Sequence, residues 1–282
     1  MDVRYHDSFE SFWRQAGPLY EADPVRHTLP LTIMAARDTY ASGPEPVLVT
    51  FHDDRGHAHG AYLRTPPFPA LASGLPAQLA PPAVDALREI GEDPPRVHGP
   101  EPEAHALADA WCRSTGKVKK TAVEQRLYEL DELVPPENVP GRTRTFADAD
   151  VNWLASWRSA FGQEAMDHAV ESDPSEEALR SFIEGGRWPV LWSVDDVPVA
   201  MAFTSTPVHG MSRIGHVYTQ PEHRNRGYGS AVTAAACDVA RAAGAQRVVL
   251  FTDLANPVSN AIYQRIGFRP VMDVAELALD GA

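Results

Sequence analysis

The chain has 282 residues, a length that fits two domains of ordinary size better than one. Apolar residues make up 44% and charged residues 22%, which excludes a disordered chain. The 38 acidic and 25 basic residues leave a formal charge of -13. Bulk attraction to nucleic acid or to an anionic membrane is therefore excluded, because such a field repels phosphate. Any anionic ligand must be held by a local site.

The first residues, MDVRYHDSFESFW, carry acidic side chains at once and lack the apolar core of a signal peptide. No uninterrupted apolar run approaches the length of a membrane span. We therefore expect a cytoplasmic location, with no membrane partner and no nucleic-acid partner. Cys112 and Cys237 stand far apart with no zinc-ligand spacing near either, so we expect free thiols and no bound metal.

Two segments of the chain resemble each other. PVLVTFHDDRGHAHGAYLRTP begins at Pro46, and PVLWSVDDVPVAMAFTSTP begins at Pro189. Both patterns predict a strand, a turn with two aspartates and a second strand that ends at Thr-Pro. An offset of about half the chain predicts two copies of one fold, although any hairpin between prolines would look similar. The proline-rich segment from Val134 to Gly141 excludes a continuous helix or strand, and it predicts a seam between domains over 1–138 and 139–282.

The first half is rich in proline and loop residues. Its clearest elements are the hairpin, a short helix over 83–90 and an alternating apolar pattern over 118–133. A copy of the fold built on this half should carry a ligand-binding loop shortly after the hairpin. The sequence there enters its helix through Pro81-Pro82, which provide no backbone N–H groups.

The second half predicts a cleaner series of elements. A strand covers 142–146, and Asp148 is predicted to cap a helix with apolar residues at helical spacing. Asp173 is predicted to cap a second helix that begins with Pro174 and ends at 185–186. The remaining elements are strands over 190–194, 199–205 and 212–219, a helix over 229–243, a strand over 247–252, a helix over 257–266 and a final strand over 269–279. The order βααβββαβαβ predicts an α/β fold, a mixed sheet with helices on its faces.

The richest motif follows the strand that ends at Thr219. Arg224-x-x-Gly227-x-Gly229 leads from this strand directly into a helix. Glycines let the backbone curl so that successive N–H groups point at one anion, and the helix N-terminus adds further unsatisfied N–H groups. The spacing predicts a phosphate cradle made of backbone donors, although an ordinary glycine turn is the simpler alternative. It differs from the spacings of Mg-nucleotide and dinucleotide loops.

A second motif, NPVSNAIYQRIGF, follows in the next strand and helix and contains Asn256, Ser259 and Tyr263. With the glycine loop before it, this motif resembles the GNAT superfamily of N-acetyltransferases, in order and at family spacing. The resemblance is strong over residues 142–279 and extends only in outline over 1–133, on the plan of tandem acetyltransferases such as mycothiol synthases. It implies a GNAT fold in tandem, with a catalytic second half and a degenerate first half that shapes the acceptor pocket.

The resemblance also implies the site. Backbone groups at the end of the strand would lie beside the pantetheine arm of acetyl-CoA, the amides of the loop would hold its pyrophosphate, and Tyr263 would protonate the leaving thiolate. The implied cofactor-binding residues are Val217, Tyr218, Thr219, Arg224, Asn225, Arg226, Gly227, Tyr228, Gly229, Ser230, Asn256 and Ser259. Many family members have an apolar residue where Thr219 stands, but this position works mainly through its backbone.

The chemistry agrees with that assignment, because a phenol can protonate the departing thiolate and N–H groups can stabilise the oxyanion. The general base stays open between five residues, which are His216, Glu164, Asp167, His168 and Glu222. We expect an acetyl-CoA-dependent N-acetyltransferase that acts on the primary amine of a small molecule or peptide. The alternatives are a non-catalytic acetyl-CoA sensor or scaffold and a transferase of longer acyl groups. A homodimer also remains open.

Overall fold

Both halves of the chain contain the same order of secondary structure. The computed structural model describes residues 2–40, 44–165 and 173–281. The first half contains β1 (Asp2–Tyr5), α1 (Phe9–Glu21), α2 (Thr28–Ala35), α3 (Arg37–Tyr40), β2 (Val47–His52), β3 (Ala58–Arg64), β4 (Ala70–Leu71), α4 (Ala80–Glu89), β5 (Arg96–Pro100), α5 (Glu101–Thr115) and β6 (Val118–Leu130). Apart from the single turn of α3, this is the order βααβββαβαβ.

The second half repeats that order. It contains β7 (Arg142–Arg144), α6 (Val151–Ala165), α7 (Glu176–Glu184), β8 (Arg187–Val194), β9 (Val197–Ser205), β10 (Met211–Thr219), α8 (Tyr228–Ala242), β11 (Arg247–Asp253), α9 (Pro257–Arg265) and β12 (Phe268–Asp280). The predicted order is therefore confirmed, and the two similar segments are both antiparallel hairpins, β2–β3 and β8–β9. No helix within the described ranges is both long and apolar enough to cross a membrane.

The chain divides into two compact units. The first consists of Met1–Leu127, Asp253–Ala255 and Val271–Ala282, and the second of Tyr128–Thr252 and Asn256–Pro270. The last strand thus belongs over most of its length to the first unit, where it pairs antiparallel with β5. The division into functional domains over 1–138 and 139–282 stays a prediction.

The sheet of the second unit has the strand order β11-β10-β9-β8-β7. Only the pair β10–β11 is parallel there, while β7 to β10 form an antiparallel ladder. One face of the sheet packs against α8 and α9, through residues such as Val232, Ile214 and Tyr263. The other face packs against α6 and α7, through residues such as Leu154, Leu179 and Phe203. The loop after β10, which carries the Arg224-x-x-Gly227-x-Gly229 motif, therefore leaves the sheet between two helical layers.

Both predicted helix caps in the second half are wrong. Asp148 is an exposed residue paired with Arg180, and the carboxylate of Asp150 instead accepts the backbone N–H of Ala147 at 2.8 Å. Helix α7 begins at Glu176, because Ser175 accepts the N–H of Ala178. The carboxylate of Asp173 instead accepts the N–H of Ser175 in the preceding turn. In each case two possible capping residues stand close together in the sequence, and the second of them accepts the N–H group at the start of the helix.

Candidate active site

Strand β10 carries a β-bulge at its centre. Its antiparallel register with β9 runs through Gly215↔Phe203 and resumes at Tyr218↔Met201, so β10 contains one extra residue between these pairs. His216 lies in the bulge with a φ of 51°, in the left-handed region that a β-carbon disfavours. Because of this bulge, simple alternation along the strand does not predict the face on which His216 lies.

The two parallel strands separate at the same point. Within the described ranges, the ladder between β10 and β11 ends at Ile214↔Leu250, while β10 continues to Thr219. The backbone from the bulge to Thr219 therefore presents an edge that an extended ligand can pair with. This segment contains Val217, Tyr218 and Thr219, the residues predicted to contact the pantetheine arm.

The loop after β10 forms a cradle of backbone donors. Asn225 and Gly227 both have left-handed φ angles, 62° and 83°, which curl the chain before α8 begins at Tyr228. In the part of the chain that the structure describes, the N–H groups from Asn225 to Ser230 donate to no protein acceptor. The first N–H groups of an α-helix have no partner within the helix, and they carry its positive dipole end. The arrangement can hold an anion such as a pyrophosphate.

The two glycines of the motif serve different purposes. A β-carbon on Gly227 would lie 2.9 Å from Cγ2 of Val139, and the φ of this residue already disfavours a side chain. A β-carbon on Gly229 would meet only Oγ1 of Thr219, at 3.6 Å, which is ordinary van der Waals contact. The protein itself therefore needs glycine at 227 but not at 229. The open space at Gly229 lies at the mouth of the cradle.

Arg224 holds the beginning of the loop. Its Nε donates to the carbonyl oxygen of Thr219 at 3.0 Å, and its Nη2 donates to Oε2 of Glu164 at 2.6 Å. The guanidinium lies over the ring of Tyr218, whose hydroxyl donates to the other carboxylate oxygen of Glu164 at 3.3 Å. Arg224 therefore joins the end of β10 to α6, a contact that the sequence did not predict because Glu164 lies sixty positions away.

Helix α9 brings the second motif together on one face. Asn256 is its N-cap, with Oδ1 accepting the N–H of Ser259 at 3.0 Å. Spacings of three and four residues put Asn256, Ser259 and Tyr263 on the same side of the helix. Tyr263 is 7% exposed and packs edge-on against Phe268, with ring centroids 6.1 Å apart. Burial raises the pKa of Tyr263 to about 12, against the opposing effect of a hydrogen bond from Ser259.

The base candidates have separate environments. His216 points towards α6 and α7 among aromatic rings, and burial, followed by the charges of Arg158 and nearby arginines, lowers its pKa to about 3. Glu164 is occupied by Arg224 and Tyr218, and Glu222 is an exposed residue of the loop. Asp167 and His168 lie outside the described residues.

In the described part of the first unit, the equivalent helix starts do not provide the corresponding donors. Its helix α4 occupies the place of α8 in the element order, and Pro81 and Pro82 remove N–H groups from the first turn. Helix α5 occupies the place of α9, with Pro100 where Asn256 caps its helix. Counting seven residues on, as from Asn256 to Tyr263, leads to the buried Leu107. Neither the cradle nor the phenol has a counterpart at these positions.

Known proteins share this sequence pattern and architecture. The model of the acetyltransferase (GNAT) family matches residues 152–268. A mycothiol acetyltransferase from Salinispora tropica is 30% identical over 224 residues, 74% of this chain and 67% of that protein. One from Streptomyces griseus subsp. griseus is 27% identical over 262 residues, 87% of this chain and 77% of that protein. A solved tandem GNAT protein from the clavulanic acid biosynthesis pathway covers 100% of this chain and 99% of its own, with 14% identity and a TM-score of 0.61.

Proposed function

Because this chain belongs to the acetyltransferase (GNAT) family and is an N-acetyltransferase, we propose that its second unit transfers acetyl from acetyl-CoA to the primary amine of a small molecule. The observation that carries the proposal is the cradle of N–H groups from Asn225 to Ser230, set where β10 separates from β11. Backbone donors at a helix N-terminus fit a pyrophosphate without surplus lysine, which suits a chain of charge -13.

The rest of acetyl-CoA fits the features that adjoin the cradle. The pantetheine arm would pair with the edge of β10 from Val217 to Thr219, and this pairing would bring the thioester to the bulge. Gly229 leaves room for the phosphates, while Arg226 lies within the loop that holds them. Arg224 would position the loop through its bonds to Thr219 and Glu164. Asn256 would contact the arm from the start of α9.

The reaction forms a carbon–nitrogen bond and breaks a carbon–sulfur bond. The neutral amine attacks the thioester carbonyl, whose developing negative charge is stabilised by backbone N–H groups at the separated strands. The thiolate that leaves has an ordinary pKa of about 8.5, whereas the pKa of Tyr263 is about 12. Burial of Tyr263 therefore disfavours full proton transfer from its phenol to the thiolate. We propose that the phenol acts first as a hydrogen-bond donor to the thiolate, while the surplus proton comes from the attacking amine.

The first unit is proposed to be a degenerate copy that binds no acetyl-CoA. It keeps the order of elements but has Pro81 and Pro82 at the helix that should hold pyrophosphate, and Leu107 at the position of the phenol. Relatives named mycothiol acetyltransferase favour a small-molecule amine over a peptide as acceptor. Isothermal titration of the full chain should then give one acetyl-CoA per chain, and two would contradict the assignment.

The direct test is release of free CoA thiol from acetyl-CoA with a panel of small amines and peptides. Tyr263→Phe should lower kcat at least ten-fold and leave the Kd for acetyl-CoA nearly unchanged, because it removes one donor and no packing. Equal rates for both proteins would remove Tyr263 from the mechanism. Binding of acetyl-CoA without thiol release for any acceptor would instead favour the sensor.

A further inference from the structure

Strand β1 forms a free edge of the sheet in the first unit. Within the described ranges it pairs with β2 alone, antiparallel, in a register that runs from Asp2↔His52 to Tyr5↔Val49. A strand at the edge of a sheet presents unpaired backbone N–H and C=O groups, which can pair with another extended chain. The edge of β1 is therefore a candidate interaction surface.

The register determines which backbone groups of β1 point outward. The N–H of His6 donates to the carbonyl oxygen of Leu48 at 3.0 Å, so these two residues continue the register as a hydrogen-bonded pair of the antiparallel ladder. Such pairs alternate with non-hydrogen-bonded pairs, and the even-numbered residues of β1 therefore direct their N–H and C=O groups at β2. The N–H and C=O groups of Val3 and Tyr5 point away from β2, towards the free edge.

The charges of β1 are complementary to those of a second β1. Asp2 and Arg4 lie on one face of the strand, and Val3 lies between them on the other face. If two β1 strands pair antiparallel with the two Val3 residues opposite each other, Asp2 of each copy lies opposite Arg4 of the other. This centring makes the two Val3 residues a hydrogen-bonded pair, as their outward N–H and C=O groups require. The opposite charges then occupy non-hydrogen-bonded pairs, in which side chains lie closest together.

The other face of the same edge carries exposed apolar area. Tyr5 is 46% exposed, and its hydroxyl donates to the carbonyl oxygen of Ala86 on α4 at 3.1 Å. Ile90 follows directly after α4 and is 49% exposed, while Val3 packs against the core of the first unit. In the pairing centred on Val3, the ring of Tyr5 lies diagonal to Val3 of the second copy, within the reach of an aromatic side chain. Association would therefore cover apolar area as well as pair charges.

The free edge of the second unit does not have this complementarity. Its strand β7 lies at the end of the strand order and carries Arg142 and Arg144 on one face, paired within the chain with Asp196 and Asp150. Antiparallel pairing of two such strands centred on Thr143 would put arginine opposite arginine, which is destabilising. The charge pattern thus favours β1 over β7 as the edge that a second copy fits.

We propose that β1 is a docking edge for a second copy of this chain, and that the two strands pair antiparallel about a twofold axis at Val3. The dimer has two intermolecular ion pairs between Asp2 and Arg4, two hydrogen bonds between the Val3 backbones, and the rings of Tyr5 over the apolar face. Because four residues make a small interface, the dissociation constant should be on the order of 10 µM. The docking edge belongs to the first unit and is independent of the proposed acetyl transfer.

Sedimentation equilibrium of the full chain tests the association. The weight-average mass should approach twice 30.8 kDa at a concentration of about 100 µM and fall towards 30.8 kDa below about 1 µM. Arg4→Asp and Asp2→Arg should each weaken association at least about ten-fold, because the twofold axis turns one substitution into two like-charge contacts. The double variant, which exchanges the two charges, should recover most of the loss. Arg113→Asp, at an exposed position of α5, is the matched control.

Cross-linking tests the register. Val3→Cys should form a disulfide-linked dimer under mild oxidation, because the Cα atoms of a hydrogen-bonded pair lie about 5.5 Å apart, within the range of a disulfide. Tyr5→Cys should not, since the two residues at position 5 would lie roughly 13 Å apart along the strands. The wild-type chain, with free cysteines at Cys112 and Cys237, should stay unlinked and is the control.

Three results would overturn the docking edge. They are a monomer at about 100 µM, a dimer that the single charge variants do not weaken, and equal cross-linking at positions 3 and 5. If Val3→Cys does not fold, as urea unfolding would show, the exchange of charges at Asp2 and Arg4 still decides the question. Thiol release from acetyl-CoA should be the same for the wild type and the charge variants, so failure of the docking edge leaves the proposed function intact.

Discussion

Gly227 and Gly229 form a matched pair that separates a structural glycine from a ligand-binding one. Gly227→Ala introduces a side chain at a φ of 83° and brings its β-carbon to 2.9 Å from Val139. The left-handed conformation alone costs about 1–2 kcal/mol, and the contact adds to it unless Val139 moves. Gly229→Ala meets neither problem, and alanine in place of glycine within a helix is worth up to about 1 kcal/mol of stability.

The two substitutions should affect acetyl-CoA binding in the opposite order, with the larger loss of affinity for Gly229→Ala. A methyl group at 229 would enter the mouth of the N–H cradle beside Thr219. Displacement of the pyrophosphate by this group loses at least one hydrogen bond between a backbone N–H and a charged oxygen, worth about 1.5–3 kcal/mol. We therefore expect Gly229→Ala to raise the Kd for acetyl-CoA at least about ten-fold, with unfolding unchanged or shifted to higher urea.

Two assays on the same proteins check both expectations. Urea denaturation without ligand should show a loss of stability for Gly227→Ala and none for Gly229→Ala, while isothermal titration gives both Kd values. Val139→Ala in the Gly227→Ala background should recover part of the lost stability, which a double-mutant cycle measures. Unchanged acetyl-CoA binding by Gly229→Ala would refute the cradle as the pyrophosphate site.

Two further predictions concern the second unit. Asp150 accepts hydrogen bonds from Arg144, Ala147 and Trp153 and is 6% exposed. Asp150→Ala should therefore lower the free energy of unfolding in urea by about 3–5 kcal/mol, whereas the exposed Asp148→Ala should lower it by under about 0.5 kcal/mol. Similar losses in the two variants would mean that the hydrogen bonds of Asp150 do not stabilise the fold. Burial lowers the pKa of His216 to about 3 in the fold, while the unfolded chain takes up a proton below pH about 6.5, so stability should fall by at most about 2.5 kcal/mol from pH 7 to pH 4.5. His216→Phe should flatten that pH dependence, and an equally steep curve in the variant would assign it to other groups.

The family and the order of elements could be predicted from the sequence, whereas the residues that cap the helices could not. GNAT family membership and fold, predicted from the glycine loop and the segment around Tyr263, are confirmed. These motifs are local, since a φ of 83° at Gly227 or an N-cap at Asn256 is encoded within a few residues. The caps at Asp148 and Asp173 are wrong because a second capping residue stands two positions after each, while Asp148 pairs with Arg180 and Asp173 accepts the N–H of Ser175.

The contacts that bring distant segments together at the site could not be predicted from any local sequence pattern. Val139 reaches the glycine loop from the predicted seam, and Glu164 reaches Arg224 from the end of α6. Arg158, Arg187 and Arg213, which lower the pKa of His216, lie on α6, β8 and β10, and no sequence motif distinguishes them. The open space beside Gly215, where a β-carbon would meet no atom within 4 Å, likewise has no counterpart in any sequence motif.

The bulge in β10 determines both the backbone edge of the candidate site and the direction of the His216 side chain. One extra residue in β10 ends the ladder with β11, which opens a backbone edge and leads to a cradle of neutral N–H donors. The same extra residue turns His216 towards α6 and α7, where its ring meets Phe182 and the guanidinium groups beside it. We therefore expect the pyrophosphate of acetyl-CoA to be held by uncharged backbone donors of the loop, away from the face that packs against α6 and α7. Gly229→Ala should therefore weaken acetyl-CoA binding, whereas Gly215→Val, on the face towards α6 and α7, should leave its Kd nearly unchanged. Equal losses of acetyl-CoA affinity in the two variants would contradict this division.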